Sequence, residues 1–423
     1  MSSPAANGTT ASEVLSFKTA RAPGDKAEFS VAILNDMGYT NAAGTFEQLT
    51  KVVKEGAAFA WHGGDLSYAD DWYSGILPCE DSWPVCYNGT STELPGSAPI
   101  PDEYKKPLPP GEIPNQGGPQ GGDMSTLYES NWDLWQQWIG IITTKIPYMV
   151  LPGNHEATCA EFDGPKNVLT AYLNDDVVNG TAEKSGLTYY SCPLPRETSL
   201  RIKIASTWQE KSLVVPEWPF ARDLSGDESH PTPSETYVTD SGPFGAVNGN
   251  YSDTKAYEQY QWLARDLANV DRSKTPWVIV MGHRPMYSSQ VSSYQNYLRE
   301  AFEGLMLKNG VDVYLAGHIH WYERLLPLKT NGTIDHSAFM NNNTYITNPG
   351  VSMTHIINGA AGNIESHSTL GDHILLDFTV LLDQVHFGFS KLTINSAKKL
   401  TWEFIHGEGG VIGDELTILK NYL

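Results

Sequence analysis

Five apolar runs of strand length, each ending in a turn that carries cation-binding types of side chain, constrain this chain more than any other feature. They read FSVAILNDMG, AFAWHGGDLSY, IPYMVLPGNHE, PWVIVMGHRP and VDVYLAGHIH. Short continuous runs of Val, Ile, Leu, Ala and aromatics, bounded by Gly, Asn or Pro, predict strands buried on both faces. In open α/β sheets ligands bind beyond the carboxyl ends of the strands, so residues distant in sequence converge there. The side chains at those ends are Asp36, Asp65 with Tyr68, Asn154, His283, and the pair His318 and His320.

Two carboxylates, one phenol, one carboxamide and three imidazoles make seven candidate metal ligands. Shared between two cations through one bridging carboxylate, they give each cation four protein ligands and leave positions open for water and substrate, as catalytic sites require. Read as an extended segment, His318-x-His320 points both rings the same way, toward neighbouring ions. In the Gly-Asp-Leu-Ser-Tyr segment, Asp65 leaves the strand end and Tyr68 reaches back after one turn. A phenol titrates near pH ~10 and is a poor ligand for a divalent ion in acid, whereas a trivalent ion displaces its proton. Tyr68 therefore predicts Fe(III) at one site. Alone, Asp36 would be read as a turn residue and His283 as a satisfied histidine; the joint pattern outweighs those readings. His62, His230, His336, His355, His367, His373, His386 and His406 lack this context and are read as structural or solvent-exposed. Arg284 and Arg324 could steer an anion, Arg324 equally well pairing with an internal carboxylate.

The rest of the chain reads as α/β. Residues 1–27 are small and polar, a tail or linker. Between the first two strands, GTFEQLTKVVKEG predicts a helix with Thr45 and Gln48 as a capping box, Phe46, Leu49, Val52 and Val53 on its apolar face, and Gly56 as its stop. This is a βαβ unit, so its strands should be parallel. From about 76 to 125 the density of Pro and Gly predicts an exposed loop insertion. A Trp-rich helix precedes the strand before Asn154. Two further helices, with Leu263 and Leu267 on one face and Leu298 and Phe302 on the other's, precede the strands carrying His283 and His318. Beyond about 340 come strands without helices between them, NTYITN, HILLDFTVLL, QVHFGFSKLTI and KLTWEFI, which suggest an antiparallel or mixed second sheet packed on the first. The whole reads as a four-layer or sandwich-like α/β domain.

At 423 residues, 40% hydrophobic and 11% aromatic, the chain can bury a large core. Its net charge of −21, from 28 basic against 49 acidic residues, argues against general affinity for nucleic acid or anionic membrane. No apolar stretch approaches the ~20 residues that span a bilayer. The opening MSSPAANGTTASEVLSF lacks the features of a signal peptide. Six Asn-x-Ser/Thr sequons, at Asn7, Asn88, Asn179, Asn250, Asn331 and Asn342, together with four cysteines, favour a secreted, N-glycosylated protein whose leader lies outside this sequence. Cys79 with Cys86 and Cys159 with Cys192 is one of three pairings open to the cysteines, which look like staples rather than chemistry.

The ordered blocks Asp-Met-Gly at 36–38, Gly-Asp-Leu-Ser-Tyr at 64–68, Gly-Asn-His-Glu at 153–156, Val-Met-Gly-His at 280–283 and Gly-His-Ile-His at 317–320 resemble those of the purple acid phosphatases, within the calcineurin-like metallophosphoesterases. The resemblance covers roughly residues 28–405, and the words GGDLSYAD and HWYER resemble the high-molecular-weight plant and fungal branch. It implies two packed mixed β-sheets flanked by helices, with a dinuclear site at the strand carboxyl ends and residues 28–423 as the catalytic domain. By the same resemblance Asp36, Tyr68 and His320 hold Fe(III), Asn154, His283 and His318 hold a divalent Zn, Fe or Mn, and Asp65 bridges them. His155 is placed to hydrogen-bond the phosphate or the leaving oxygen, and Glu156 to orient a neighbour. The implied activity is that of an acid phosphatase, hydrolysing phosphomonoesters with a metal-bound hydroxide. Two departures stand out. Plant members carry a histidine pair where this chain has Ser292 and Ser293, leaving the substrate-side acid unassigned, and they carry an amino-terminal β-domain of which this chain holds at most the linker. Two alternatives stay open: a phosphodiesterase or nucleotide pyrophosphatase of the same superfamily, and a catalytically silent extracellular binding protein. The natural ester and the oligomeric state are not encoded in these motifs.

Overall fold

The computed structural model describes residues 27–38, 41–69, 125–151, 153, 155, 263–273, 275–292, 294–371 and 374–420, with short paired strands at 2–5, 8–11, 93–94, 98–99, 202–204 and 211–213. Strand β1 (Phe29–Leu34), helix α1 (Ala43–Lys54) and strand β2 (Phe59–His62) form the expected βαβ unit, its strands parallel with Val31 opposite Phe59. Helix α2 (Ser125–Thr143) leads to β3 (Tyr148–Val150), parallel to β2. Strands β4 (Ile279–Met281) and β5 (Val313–Ala316) are also parallel. Between them lie α3 (Tyr294–Leu298), a π-helical stretch at Arg299–Glu303 and α4 (Gly304–Lys308). Eight strands of the two large sheets follow: β6 (Tyr322–Leu325), β7 (Phe339–Asn341), β8 (Thr344–Ile346), β9 (Thr354–Asn358), β10 (Thr379–Asp383), β11 (Gly388–Ser396), β12 (Lys399–His406) and β13 (Ile412–Leu419), with a short antiparallel pair, Leu328–Lys329 and Thr333–Ile334, between β6 and β7.

These strands make two mixed sheets, one ordered β7-β8-β13-β12-β11-β1-β2-β3 and one ordered β4-β5-β9-β6-β10. Val31, Ile33 and Trp61 of the larger sheet meet Ile279, Met281, Val313 and Leu315 of the smaller in the central core. On its other face the larger sheet carries Ala32 and Leu34 under Leu49 and Val52 of α1 and Trp135 and Ile139 of α2. The smaller sheet turns Val280, Tyr314 and Ala316 toward Leu298, Phe302 and Met306. Both faces of each ligand-bearing strand are thus covered by apolar layers, which explains why their sequences run continuously hydrophobic instead of alternating.

Three expectations are corrected. The late strands do not make a second sheet of their own. Strand β11 pairs antiparallel with β1, Leu392 opposite Val31, while β9 pairs parallel with β5. Alternation identifies a strand's buried face but not its partner, and here both sheets combine early and late strands. The run HILLDFTVLL is strand only from Thr379, with Ile374 and Leu375 exposed outside it. Helix α1 has no capping box either: its N-cap is Ala42, without a side-chain hydrogen bond. Thr45 and Gln48 are buried inside the helix, and Gln48 Nε2 donates to the Gly407 carbonyl at 3.3 Å. Packing of the first turn on the chain beyond β12 takes the side chains that a solvent-facing end would use as caps.

Within the stretch read as a tail, Ser2–Ala5 pairs antiparallel with Gly8–Ala11. Asn331 and Asn342 are exposed. The other four sequons and all four cysteines lie outside the described residues, and no described helix is long and apolar enough to cross a membrane.

His355, on β9, is fully enclosed, with the Tyr287 ring at 5.1 Å and the Tyr314 ring at 5.7 Å, and neither ring nitrogen has a hydrogen-bond partner. Burial, helped by the charge of Arg299, pushes its pKa down to about 3. Because the folded value lies below the unfolded one, near 6.5, the stability held by the neutral ring is complete above that pH and lost as pH falls. At pH ~4.5 the loss is about 2–3 kcal/mol. In denaturant titrations His355→Leu should narrow the stability gap between neutral and acid pH by about that amount; an unchanged gap refutes the assignment.

Candidate metal centre

The turns after β1, β2, β4 and β5 bring their polar side chains to one rim, and hydrogen bonds between the turns hold them there. Asp36 N–H donates to Gly64 O (3.2 Å), Met37 N–H to Asp65 O (3.1 Å), and Gly317 N–H to His283 O (2.8 Å). Asn35 Nδ2 donates across the two sheets to Ala316 O (3.4 Å) and Asn358 O (3.2 Å). The turns are tight enough that Asp36, Asp65, Tyr68 and His318 all adopt positive φ, from 52° to 70°, although none is glycine. Such conformations cost of order 1–3 kcal/mol each and cluster at functional sites. Close approach also fixes two glycines: a Cβ on Gly317 would lie 2.3 Å from Asp36 Oδ2, and one on Gly153 would lie 2.1 Å from Asp65 Oδ1.

Two donor sets result, and they share Asp65. One is Asp65, His283 and His318; the other is Asp36, Asp65 and His320, the donor atoms of each lying within 4.8 Å of one another. In the first set, His283 Nε2 is 3.0 Å from Asp65 Oδ2, and the His283 and His318 rings are 5.2 Å apart. In the second, Tyr68 Oη lies 3.0 Å from His320 Nε2 and 3.3 Å from Asp36 Oδ1, with His320 Nε2 3.7 Å from the same carboxylate oxygen. His318 N–H donates to both Asp36 oxygens, at 3.1 and 2.9 Å.

Seven side chains were expected, and the structure brings six together: Asp36, Asp65, Tyr68, His283, His318 and His320. Asn154 lies outside the described residues. On either side of it, Gly153 lies against Asp65, and His155 N–H donates to Asp65 Oδ1 at 2.9 Å. The His155 ring packs on Tyr68, centroids 4.1 Å apart, and its Nε2 is 3.8 Å from Glu365 Oε2. The segment holding His318 and His320 is a turn, with φ of 70° at His318, and not the extended piece expected. Its two rings nonetheless serve different donor sets.

The chemistry of these groups fits cations. His283 Nδ1 is 3.0 Å from Gly63 O, which can only accept, so that nitrogen carries a proton and Nε2 is the atom that faces Asp65 Oδ2 at 3.0 Å. Positive charge at that contact, on a metal ion or on the ring itself, is what holds the two together. Burial and the charge of Asp65 push the Asp36 carboxyl well above the usual carboxylate range. For Asp65 burial acts the same way, but His283 and His155 prevail and hold it well below. Two enclosed carboxylates ionise together only with added positive charge. Burial also lowers His318 well below its ordinary value and His320 to about 3, so both offer neutral nitrogens in acid.

A cavity of about 350 Å³ opens over the centre, its walls including His155, Gln290, Ser292, His318, Glu365 and His367. Glu365 and His367 carried no sequence signal, because they follow β9 in a segment with no ligand-type motif. His367, expected to be structural or exposed, lines this wall instead. Ser292 is there as well; Ser293 lies outside the described residues. Arg284 is buried close enough for its charge to lower His318. Arg324 is not an anion-steering group, since it is buried in a bidentate pair with Asp414 at 2.5 and 2.9 Å.

Comparison with known proteins places the chain in a family. The calcineurin-like phosphoesterase family model matches residues 114–322, and the model for the iron/zinc purple acid phosphatase-like protein C matches 352–415. An acid phosphatase of Aspergillus ficuum is 63% identical over 99% of this chain and 72% of its own length. Acid phosphatase A of Cryphonectria parasitica is 27% identical over 97% of this chain and 77% of its own. Among solved structures, the purple acid phosphatase PPD1 of yellow lupin seeds superposes with a TM-score of 0.58 at 22% identity, over 100% of this chain and 59% of that one, a likeness of fold alone. Identity at the level of the Aspergillus protein, sustained along almost the whole sequence, reflects common descent and not a few shared motifs: the chain belongs to the purple acid phosphatases, a family of calcineurin-like metallophosphoesterases, and is a hydrolase of that family.

Proposed function

We propose that this chain hydrolyses phosphate monoesters in acid, at two cations that share Asp65: a ferric ion beside Asp36, Tyr68 and His320, and a divalent Zn, Fe or Mn beside His283, His318 and Asn154. The observation that carries this reading is one carboxylate common to two donor sets. When bound, such a pair activates a water nucleophile and stabilises charge on the attacking and leaving oxygens of an in-line displacement.

The chain's own residues supply the remaining functions. Because burial holds His318 and His320 neutral far below the ordinary imidazole range, the donor set persists where a surface histidine would be protonated. Tyr68 stands against Asp36 and His320, where a trivalent ion would displace its phenolic proton to solvent in acid far more readily than a divalent one. His155 is fixed through its backbone on Asp65 and through its ring on Tyr68, and it faces the cavity, which suits it to hydrogen-bond the phosphoryl or leaving oxygen. In that recess the cations outweigh the chain's screened surface carboxylates, so an acidic protein can admit an anion. Tyr68 favours this reading over the phosphodiesterases of the superfamily, most of which lack it, and an intact donor set weighs against a silent binding protein.

Iron-loaded protein should show a visible phenolate-to-iron absorption band that Tyr68→Phe removes, and it should cleave a panel of phosphomonoesters faster than diesters until chelator is added. Phosphate release indifferent to chelation, or a band surviving in Tyr68→Phe, overturns the proposal.

A further inference from the structure

Away from that centre, a third cluster of donors lies where the two sheets meet at an edge. Asp383 ends β10 in the smaller sheet, His406 ends β12 in the larger, and His386 lies in the turn joining β10 to β11. Their donor atoms fall within 4.8 Å of one another. Asp383 is held in place: its Oδ1 accepts the backbone N–H groups of Val385 and His386, each at 3.0 Å. Its Oδ2 is left toward both rings, 2.9 Å from His386 Nδ1 and 3.1 Å from His406 Nε2. The His406 nitrogen is buried, and its approach to Oδ2 lacks hydrogen-bond geometry.

We propose that Asp383, His386 and His406 form a separate binding site for one transition-metal cation of the Zn(II) class. Two imidazoles and a carboxylate suit Zn, Cu or Ni, and three protein donors leave a position for water. Bonds of ~2.0–2.2 Å set the donors around a tetrahedral ion roughly 3.4 Å apart, which the observed 2.9 and 3.1 Å reach with small outward shifts. The two rings are stacked, centroids 3.9 Å apart and 9° from parallel, so one must turn for both nitrogens to converge. His386, 45% exposed, has room to do so, whereas His406 is 12% exposed and fixed against Phe404. A bound ion would fasten the edge strand of the smaller sheet to the larger one.

The test is zinc counting on holoprotein dialysed against micromolar Zn(II), by elemental analysis. Wild type should bind one ion more per chain than His386→Ala or Asp383→Asn, with phosphomonoester turnover in both variants within about twofold of wild type. His336→Ala, which removes an exposed histidine elsewhere, should keep the wild-type count. Equal counts in wild type and His386→Ala overturn the site, as does an equal loss in His336→Ala.

Discussion

Asp65→Asn should lower phosphomonoester turnover by on the order of 10³-fold or more and reduce the metal bound per chain, with the fold unchanged by circular dichroism. The magnitude is that of removing one group that stabilises transition-state charge, here compounded because a single carboxylate belongs to both donor sets. The carboxamide keeps an oxygen for the His155 amide but loses the negative charge that two cations would share. His283→Ala, which empties only one set, is the milder companion. A substitution that leaves activity and bound metal intact would falsify the shared-ligand assignment.

Asp414→Ala should cost about 3–5 kcal/mol of stability and leave KM for a phosphate ester unchanged. Asp414 accepts two bonds from Arg324 and one from Tyr322 at 2.7 Å, all enclosed. Arg324 also donates to Tyr345 Oη and Asn342 O, both at 2.7 Å. Removing the carboxylate strands a buried guanidinium, which is why one-sided loss is severe, whereas replacing both partners with apolar residues is often near neutral. The double variant Arg324→Met/Asp414→Leu should accordingly recover most of the loss in denaturant titration. An altered KM in the folded single variant would return Arg324 to a role at the substrate.

Much of the candidate centre was legible because its side chains share one local grammar, an apolar run, a turn and a polar group, and because a parallel sheet forces such ends together. That logic gave Asp36, Asp65, Tyr68, His283, His318 and His320. What escaped depends on long-range pairing. Glu365 and His367 reach the cavity only because β9 lies beside β5, and nothing in NTYITN or the residues after it specifies that neighbour. The capping box at Thr45 and Gln48 failed for a related reason: local propensity assumes water at a helix end, and there the chain near Gly407 occupies that space. Arg324 could be read either way until Asp414, 90 residues later, was seen opposite it. His386 and His406 had no motif at all, being joined only by the meeting of β10 and β12.

Because β1 lies between β2 and β11, the strand that carries Asp36 gains its second neighbour only from a segment far later in the chain. The segments through His320 thus hold all six described candidate side chains and still lack one of the strands that align them. On the proposed reading, a tight cation site needs β11 in place as well as its own donor side chains.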